Sequence, residues 1–307
     1  MSAALTLFYT LLPLYLTVVL GWLAGRYLQA SGSHIAGIML YIVTPSVIFA
    51  GVMSAPLSVS VIILPFLVFG FCSLVGLTML LVAKRWLRVA GANMIPLSVG
   101  TGNTGYFGVP VALLLFGEQG LSLYIVCMLG TTLYENSLGF YLAARGRFGV
   151  RDCLRKVASL PSVYAFALAV VLNLSGVPLP ATFQPLFDNL RGAYSVLGMM
   201  IIGMSILSLR GLAGDLRFSA LTFFGKFIVW PLLALGFWWV DSQITGLYEP
   251  AVYHAVFLIA ITPVAANTVV IATLLDTFPR QVAATTLIST LFALLYIPLM
   301  VAWVLPG

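Results

Sequence analysis

Apolar residues fill this chain in long runs, separated by short stretches of glycine, proline and charged residues. Each run is close to the ~20 residues that an α-helix needs to cross the hydrocarbon core of a bilayer. The pattern therefore predicts an all-α polytopic membrane protein with about ten transmembrane helices. Numbered in chain order, the predicted spans TM1 to TM10 cover 4–25, 34–54, 60–83, 92–116, 120–144, 157–176, 188–209, 218–240, 251–275 and 281–304.

Two of the predicted spans are interrupted. TM4 contains the sequence VGTGNTGYFGVP at residues 99–110, and TM9 contains ITPVAANT at residues 261–268. Inside hydrocarbon, a break in a helix is tolerated only where protein encloses it or where it lines a water-filled cavity. Paired interruptions at corresponding places of two halves are typical of a transporter binding site. We therefore expect the functional site at these two breaks.

Composition supports a membrane protein and excludes a soluble one. The 307 residues are 62% hydrophobic and only 7% charged, with a mean hydropathy of +1.11. Soluble domains carry roughly 25% charged residues. The first apolar run reads as a first span, since further spans follow it and it lacks a small-residue cleavage site in a polar context. Three cysteines, two of them in apolar runs, indicate small core residues rather than a disulfide framework.

The distribution of charge predicts the orientation in the membrane. Connectors after odd spans are basic: Arg26; Lys84, Arg85 and Arg88; Arg145, Arg147, Arg151, Arg155 and Lys156; Arg210 and Arg217; and Arg280. Connectors after even spans carry mostly acids: Glu118, Asp188, Asp241 and Glu249. The exception is Arg191. Basic connectors mark the cytoplasmic side. This distribution predicts a multi-pass protein of the inner (plasma) membrane with both termini outside. It also accounts for the net charge of +6, so no nucleic-acid partner is expected.

The position of the breaks predicts a 5+5 inverted repeat. An odd number of spans per repeat makes the second copy enter the membrane upside down, as is common in secondary carriers. The domains are then 1–145 (TM1–5), a cytoplasmic linker at 146–156, and 157–307 (TM6–10), with the broken helices fourth in each half and crossed. The prolines Pro110 and Pro263 and the two Asn-Thr pairs give different offsets between the halves, so no residue-level alignment follows.

The breaks also predict the chemistry of the site. A restarted half-helix exposes N–H groups that attract anions, and the end of the preceding half exposes carbonyls that attract cations. Glycine at 102, 105 and 108 permits close backbone approach, although the same spacing could serve helix packing alone. The expected substrate-binding residues are Asn103, Thr104, Gly105, Gly108, Pro110, Pro263, Ala265, Asn267 and Thr268.

Charged residues inside spans are candidates for coupling or for substrate charge. Glu135 lies within TM5, and Thr131 and Thr132 share its helix face. It can titrate as a proton site, join oxygens around a cation, or hydrogen-bond within the bundle, and the sequence leaves these open. Lys226 in TM8 can be a counter-charge for Glu135 or for the substrate, or can extend to the membrane surface. His254, at the start of TM9, is interpreted as an interfacial residue.

Enzyme chemistry is not expected. The sequence has no His, Cys and acid cluster with metal-ligand spacing, no Gly-x-Ser-x-Gly elbow and no phosphate-binding loop. Neither a cofactor nor a metal is predicted. The alternative from another class is a membrane-embedded enzyme or scaffold that acts on lipids, which would have a laterally open cavity and no solute flux.

Two motifs resemble the fourth- and ninth-span signatures of the auxin efflux carrier family, the bacterial relatives of the plant PIN proteins. They are NTGYFGVP at 103–110 and PVAAN at 263–267, and Lys226 followed by Pro231 is similar to that family too. The long cytoplasmic loop of some plant members is absent here.

The resemblance implies the inverted-repeat fold of bile-acid/sodium symporters. TM1, 2, 6 and 7 would form a scaffold that makes a homodimer, and TM3–5 and 8–10 a transport domain that moves like an elevator. The implied substrates are small organic anions such as malate, malonate or auxin-like acids. The coupling ion, a proton or Na+, stays open, as does a sodium-coupled symporter of larger amphipathic anions.

Overall fold

A computed structural model describes residues 3–30, 32–54, 63–206 and 215–304, and every regular element in those ranges is helical. The fifteen α-helices are α1 Ala3–Tyr27, α2 Gly32–Ile38, α3 Thr44–Ser54, α4 Ile63–Ala83, α5 Val89–Gly100, α6 Val109–Tyr134, α7 Phe140–Ala144, α8 Val150–Ala158, α9 Pro161–Leu174, α10 Gln184–Ile206, α11 Leu216–Phe224, α12 Trp230–Val240, α13 Pro250–Ile261, α14 Ala266–Leu275 and α15 Pro279–Val304.

Five π-helical turns of five residues each adjoin these helices, and three of them join two α-helices into a longer rod. The turns are Met39–Val43, Thr104–Gly108, Glu135–Gly139, Gly225–Val229 and Asp241–Thr245. A π turn leaves one backbone carbonyl without its regular helical partner, and such turns are frequent at functional sites. Three of the five contain a residue that the sequence singles out: Thr104, Glu135 and Lys226.

Some helices of the described chain are long enough to span a membrane. His34–Ser54, Ile63–Ala83 and Leu216–Thr245 are each long and apolar enough to cross a bilayer. Three bent helix pairs, including Pro250–Ile261 with Ala266–Leu275, raise the possible number of spans to six by length and composition. An all-helical membrane protein is therefore the fold, and the count of ten spans and the inverted repeat remain predictions.

The boundary expected between TM4 and TM5 falls on a sharp change of backbone direction. Gly117 has φ 66° and ψ −170° inside the otherwise helical segment α6. Only glycine adopts this region readily, because a Cβ atom would be strained there. Residues 109–116 thus belong to the broken span, and the helix after Gly117 carries Thr131 and Glu135.

Two helix pairs connect the first and second halves of the chain. Helix α1 packs along α10, and α3 packs along α9. Gly21 and Gly203 lie where the α1 and α10 backbones touch, since a Cβ at either position would overlap a backbone carbonyl of the other helix. Asn173 in α9 donates from Nδ2 to the carbonyls of Val52 (2.8 Å) and Met53 (3.1 Å), near the end of α3. Such contacts satisfy carbonyls that a helix end leaves free.

The predicted linker 146–156 is mostly helical, since α8 occupies Val150–Ala158. Before it, Arg147 forms an ion pair with Asp276 (Nη1 to Oδ2, 2.6 Å) and also donates to the Leu275 and Asp276 carbonyls. The linker is thereby attached to the end of α14. Cys72, Cys127 and Cys153 are buried and free, as the core interpretation predicts.

Candidate functional site

The two interruptions begin in the same way. Helix α5 ends at Gly100 and α13 ends at Ile261, and in each case the next residue is an extended threonine: Thr101 (φ −105°, ψ 173°) and Thr262 (φ −64°, ψ 149°). Each threonine hydroxyl donates back to a carbonyl of its own helix, at 2.7 Å for Thr101 and 2.8 Å for Thr262. Both half-helices therefore stop with their hydroxyls turned onto their own last turn.

The two breaks are in direct contact. The backbone N–H of Asn103 donates to the carbonyl of Pro263 at 2.7 Å. The hydroxyls of Thr101 and Thr268 are 3.4 Å apart across the same junction. All four residues named here except Pro263 are at most 2% exposed, so this junction is enclosed by protein, as a break within hydrocarbon requires.

The matching threonines also explain why the motifs give conflicting offsets. Asn103 and Thr104 follow Thr101 by two and three residues, whereas Asn267 and Thr268 follow Thr262 by five and six. The two Asn-Thr pairs are consequently not at equivalent places, and the first break restarts sooner after its threonine than the second.

The first break restarts through the π turn Thr104–Gly108. The Asn103 carbonyl accepts from the N–H groups of Phe107 (3.1 Å) and Gly108 (3.0 Å). Tyr124, fully buried on α6, donates from its hydroxyl to the Thr104 carbonyl at 2.9 Å. Gly108 has no room for a side chain, because a Cβ there would overlap the Tyr124 hydroxyl. The hydroxyls of Thr104 and Thr131 lie 3.3 Å apart.

The second break restarts directly as a regular α-helix. Ala265 is the extended residue before α14. In the first turn of this helix the Thr268 N–H donates to the Ala265 carbonyl at 3.1 Å, whereas the N–H groups of Ala266 and Asn267 precede the first regular helical hydrogen bond and point back into the break. Two residues before the helix, the backbone N–H of Val264 donates to Oγ of Ser289 on α15 at 3.1 Å. This N–H is satisfied by a side chain from a neighbouring helix.

Glu135 and Asn267 meet beside the junction. Nδ2 of Asn267 donates to Oε1 of Glu135, and both side chains are buried. Oδ1 of Asn267 is buried and has no hydrogen-bond partner among the described residues. The Asn103 side chain turns the other way and donates weakly to Sδ of Met199 on α10, at 3.9 Å.

Lys226 lies fully buried against the first break. A Cβ built on Gly102 would be 2.7 Å from Nζ of Lys226 and would overlap Oγ1 of Thr262, so the absence of a side chain at 102 makes the space for both. The lysine amine is 5.5 Å from the centre of the Trp230 ring. Within the described ranges it has no hydrogen-bond acceptor. Because its side chain is 0% exposed, it does not extend to the membrane surface.

Glu135 and Lys226 do not pair with each other in the described part of the chain. The ion pairs there are Arg147 with Asp276 and Arg191 with Asp188. A buried ammonium group without a carboxylate is expensive in a membrane interior. The amine of Lys226 is therefore without a counter-ion or a hydrogen-bond acceptor in the described part of the chain.

The remaining predicted site residues lie at varying distances from the junction. Pro110 is in the first turn of α6, Gly105 is half-buried with open space next to its Cα, and Ala265 is buried. Thr132 donates to the Met128 carbonyl of its own helix at 3.3 Å. His254 is stacked on Phe116 and edge-on to Trp238, with ring centroids 6.0 and 5.4 Å apart, in an aromatic cluster away from the breaks.

Sequence reasoning missed three residues that contact the breaks: Tyr124, Ser289 and Met199. Tyr124 and Met199 lie in apolar runs and carry no distinguishing pattern. Ser289 is different, because α15 has four hydroxyl residues that lie close together along one side of the helix. They are Thr285, Thr286, Ser289 and Thr290, all at most 1% exposed. A polar stripe of this kind in an apolar span can be recognised from sequence.

Buried helix breaks that contact each other beside an unpaired lysine are features of a membrane transporter, and comparison with known proteins agrees. A family model described as membrane transport protein matches residues 148–301. An uncharacterized transporter of Methanocaldococcus jannaschii is 31% identical over 278 residues, covering 87% of this chain and 88% of the relative.

Two further relatives extend over nearly the whole chain. An uncharacterized transporter of Methanothermobacter thermautotrophicus is 26% identical over 301 residues, covering 94% of this chain and 96% of its own. A protein of Rhizobium meliloti with the provisional name of malonate transporter is 24% identical over 306 residues, covering 92% and 91%. The chain belongs to the membrane transport protein family, that of the auxin efflux carriers, which confirms the resemblance drawn from the two motifs.

Proposed function

We propose that this membrane transporter carries small organic anions, in the form of carboxylates such as malonate, malate or auxin-like weak acids. The observation that carries the proposal is the buried amine of Lys226, which lies against Gly102 at the junction of the breaks and has no acceptor in the described part of the chain. The provisional name of the Rhizobium meliloti relative supports malonate as one candidate.

A carboxylate at this junction would satisfy groups that are otherwise costly to bury. Its charge would offset the ammonium of Lys226, and its oxygens would accept from N–H groups in the first turn of α14, where the helix dipole favours an anion. Asn103 and Asn267 would orient the remainder of the molecule through their amides. A neutral or cationic solute would leave the lysine charge unpaired.

The packing supports an alternating-access movement of the elevator type. Helices α1, α2–α3, α9 and α10 would form the scaffold, because α1 packs on α10 and α3 packs on α9. The remaining helices would form the transport domain, with the main-chain hydrogen bond from Asn103 to Pro263 holding its two breaks together. The family resemblance implies that the scaffold makes a homodimer.

Coupling of substrate transport to an ion would involve Glu135, which accepts a hydrogen bond from Asn267 in the second break. A proton on this carboxyl, or Na+ held by it together with oxygens such as that of Thr131, would change how Asn267 presents its amide to the substrate. We keep both ions as candidates.

The test is uptake of radiolabelled malonate, malate and indole-3-acetate into proteoliposomes by the wild type and by Lys226→Met. Methionine has a similar volume and no charge, and replacing a buried charge by an apolar side chain is often neutral or stabilising. We expect uptake to fall by about 100-fold, the effect of losing an interaction of roughly 2.7 kcal/mol, while the melting temperature stays or rises.

Two controls make the result decisive. Arg26→Met removes an exposed basic residue and should leave uptake unchanged. Asn103→Ala should abolish uptake in a protein that remains folded. Wild-type uptake by Lys226→Met would refute the role of the lysine. A wild-type protein whose melting temperature no mono- or dicarboxylate raises would argue against the substrate class, because a ligand of the folded state stabilises it.

A further inference from the structure

Helix α8 is amphipathic, and its apolar side is not covered by the described protein. Val150 is 49% exposed and Leu154, one turn later, is 57% exposed, whereas Cys153 is buried. With 100° per residue, Val150 and Leu154 lie on one face, Arg155 and Lys156 lie on the opposite side, and Arg151 lies at the boundary next to Leu154. The helix is bent 52° away from α9, so it does not continue the direction of the following helix.

The basic side of α8 has an excess of positive charge. Arg151, Arg155 and Lys156 have no carboxylate partner among the described residues, where the ion pairs involve Arg147 and Arg191 instead. Lys156 holds its amine 4.3 Å from the centre of the Phe148 ring. Asp152 is the single acidic residue of the helix.

A second segment adds similar residues near the same place. Gly146 packs against Ala90 and Asn93 at the start of α5, which brings the linker next to the connector between α4 and α5. That connector carries Lys84, Arg85 and Arg88, with Trp86 58% exposed and Val89 69% exposed. Tryptophan at such a position is typical of the membrane–water interface.

We propose that α8 and the 84–89 connector bind anionic phospholipids of the adjacent leaflet. Helix α8 lies in the plane of the interface, with Val150 and Leu154 directed to the acyl chains and Arg151, Arg155 and Lys156 among the headgroups. A basic amphipathic helix with exposed aliphatic residues has this chemistry, and each basic residue near an anionic surface contributes to binding. The occupant is a lipid surface because apolar and basic groups lie side by side, whereas a free anion needs only the charges.

The consequence would reach the site through the linker. Arg147, three residues before α8, contacts Asp276 at the end of α14. Lipid that immobilises α8 therefore immobilises the attachment of the second broken helix to the linker.

The experiment is a titration of the full-length protein in neutral detergent micelles, with bound lipid counted by native mass spectrometry. The probes are dioleoylphosphatidylglycerol, dioleoylphosphatidylcholine and inorganic phosphate. The test variant is the triple Arg151→Gln, Arg155→Gln, Lys156→Gln. The matched control removes three other exposed basic residues by Arg26→Gln, Arg217→Gln and Arg280→Gln.

We expect the wild type to prefer phosphatidylglycerol and the test triple to lose about 100-fold of that affinity, since each charge is worth about fivefold. The control triple should lose no more than about threefold. Leu154→Gln should weaken binding by about tenfold, the effect of withdrawing one buried leucine. Added salt should weaken binding by the wild type more than binding by the test triple, which keeps only the basic residues of the 84–89 connector.

Three results would overturn the proposal. Equal losses of affinity for phosphatidylglycerol in the test and control triples would show that basic residues elsewhere on the protein bind this lipid equally well. Equal binding of the two lipids would remove the role of charge. Displacement of phosphatidylglycerol by millimolar phosphate, with Leu154→Gln unaffected, would indicate a site for a free anion instead of a lipid surface.

Discussion

The two breaks solve one problem by different means. Both must end a helix inside the protein and satisfy the freed backbone groups. The first break does so mainly within its own segment, because the Asn103 carbonyl accepts from two N–H groups of the π turn Thr104–Gly108. The second has an extended stretch from Thr262 to Ala265 and passes at once into α14, so it depends on Ser289 for the Val264 N–H.

The difference also concerns space. The first break contains glycines at 102 and 108, and each gives its room to a side chain from elsewhere: Lys226 and Thr262 at Gly102, and Tyr124 at Gly108. The second break uses proline and alanine, which fill their own space. The comparison indicates that the glycine-rich break makes room for side chains from other helices, whereas the second break fills its space with its own residues.

The largest effect is expected at Gly102. In Gly102→Ala the new Cβ would overlap the Thr262 hydroxyl and lie 2.7 Å from Nζ of Lys226, so the lysine must move. We expect uptake in proteoliposomes to be lost and the protein to be destabilised by about 1–3 kcal/mol, as is usual for overpacking.

Gly105→Ala is the matched control in the same break, since a Cβ there would have nothing within 4 Å. The proposed function gives Gly105 no contact with the substrate, so the variant should retain uptake and stability. Equal loss of uptake in both variants would show that the break needs flexible backbone at every glycine, and not space at one.

The next effect in size is expected from Glu135→Gln, which keeps the shape of the side chain and an acceptor for Asn267. If Glu135 couples substrate movement to an ion, uptake driven by that ion gradient should fall by about tenfold or more, while counterflow of labelled substrate continues. The measurement is uptake under separate proton and Na+ gradients. Unchanged dependence on both ions would remove Glu135 from coupling, and Thr132→Ser should behave as wild type.

A smaller and asymmetric effect is expected at the two supporting hydroxyls. Ser289→Ala leaves the Val264 N–H buried and unsatisfied, which costs about 1–3 kcal/mol. Tyr124→Phe removes a donor from the Thr104 carbonyl and should cost about 1 kcal/mol, because a buried carbonyl tolerates the loss better than an N–H does.

The free energy of unfolding in an SDS titration measures both. Transport should follow the same order, and Ser289→Thr, which restores a hydroxyl, should recover part of the loss. A greater loss of stability in Tyr124→Phe than in Ser289→Ala would contradict this account of the two breaks.

The smallest effect is expected where the breaks touch through side chains. The Thr101 and Thr268 hydroxyls are 3.4 Å apart, at the limit of a hydrogen bond. A double-mutant cycle with Thr101→Val and Thr268→Val should give a coupling energy below about 0.5 kcal/mol. A larger coupling energy would mean that the side chains, and not the main chain, hold the junction.

The breaks could be predicted because glycine, proline and asparagine in an apolar run have few other uses. Their contact with each other followed from the expectation of two matching halves. The depth of Lys226 could not be predicted, since its distance from the start of the span allows both a buried and a surface position. The buried position is possible because Gly102 has no side chain and leaves room for the lysine. Gly102 lies in a different predicted span, so this could not be read from the sequence around Lys226.

The supporting residues were beyond sequence reasoning for a similar reason. Tyr124 and Met199 look like ordinary members of apolar helices, and only the fold brings them to the first break. The π turns leave no pattern in the sequence, because they change hydrogen bonding without changing which residues are apolar. The helix in the 146–156 linker was not predicted, because its many charged residues resemble those of an ordinary connector, although its apolar positions recur one turn apart.

The hydrogen bond from Asn103 to Pro263 uses main-chain atoms alone. Any amino acid except proline can provide the amide at position 103, and any residue at all can provide the carbonyl at position 263. The bond between the two breaks is thus independent of the side chains that surround it. Substitution of the neighbouring side chains can therefore leave the connection between the two breaks intact.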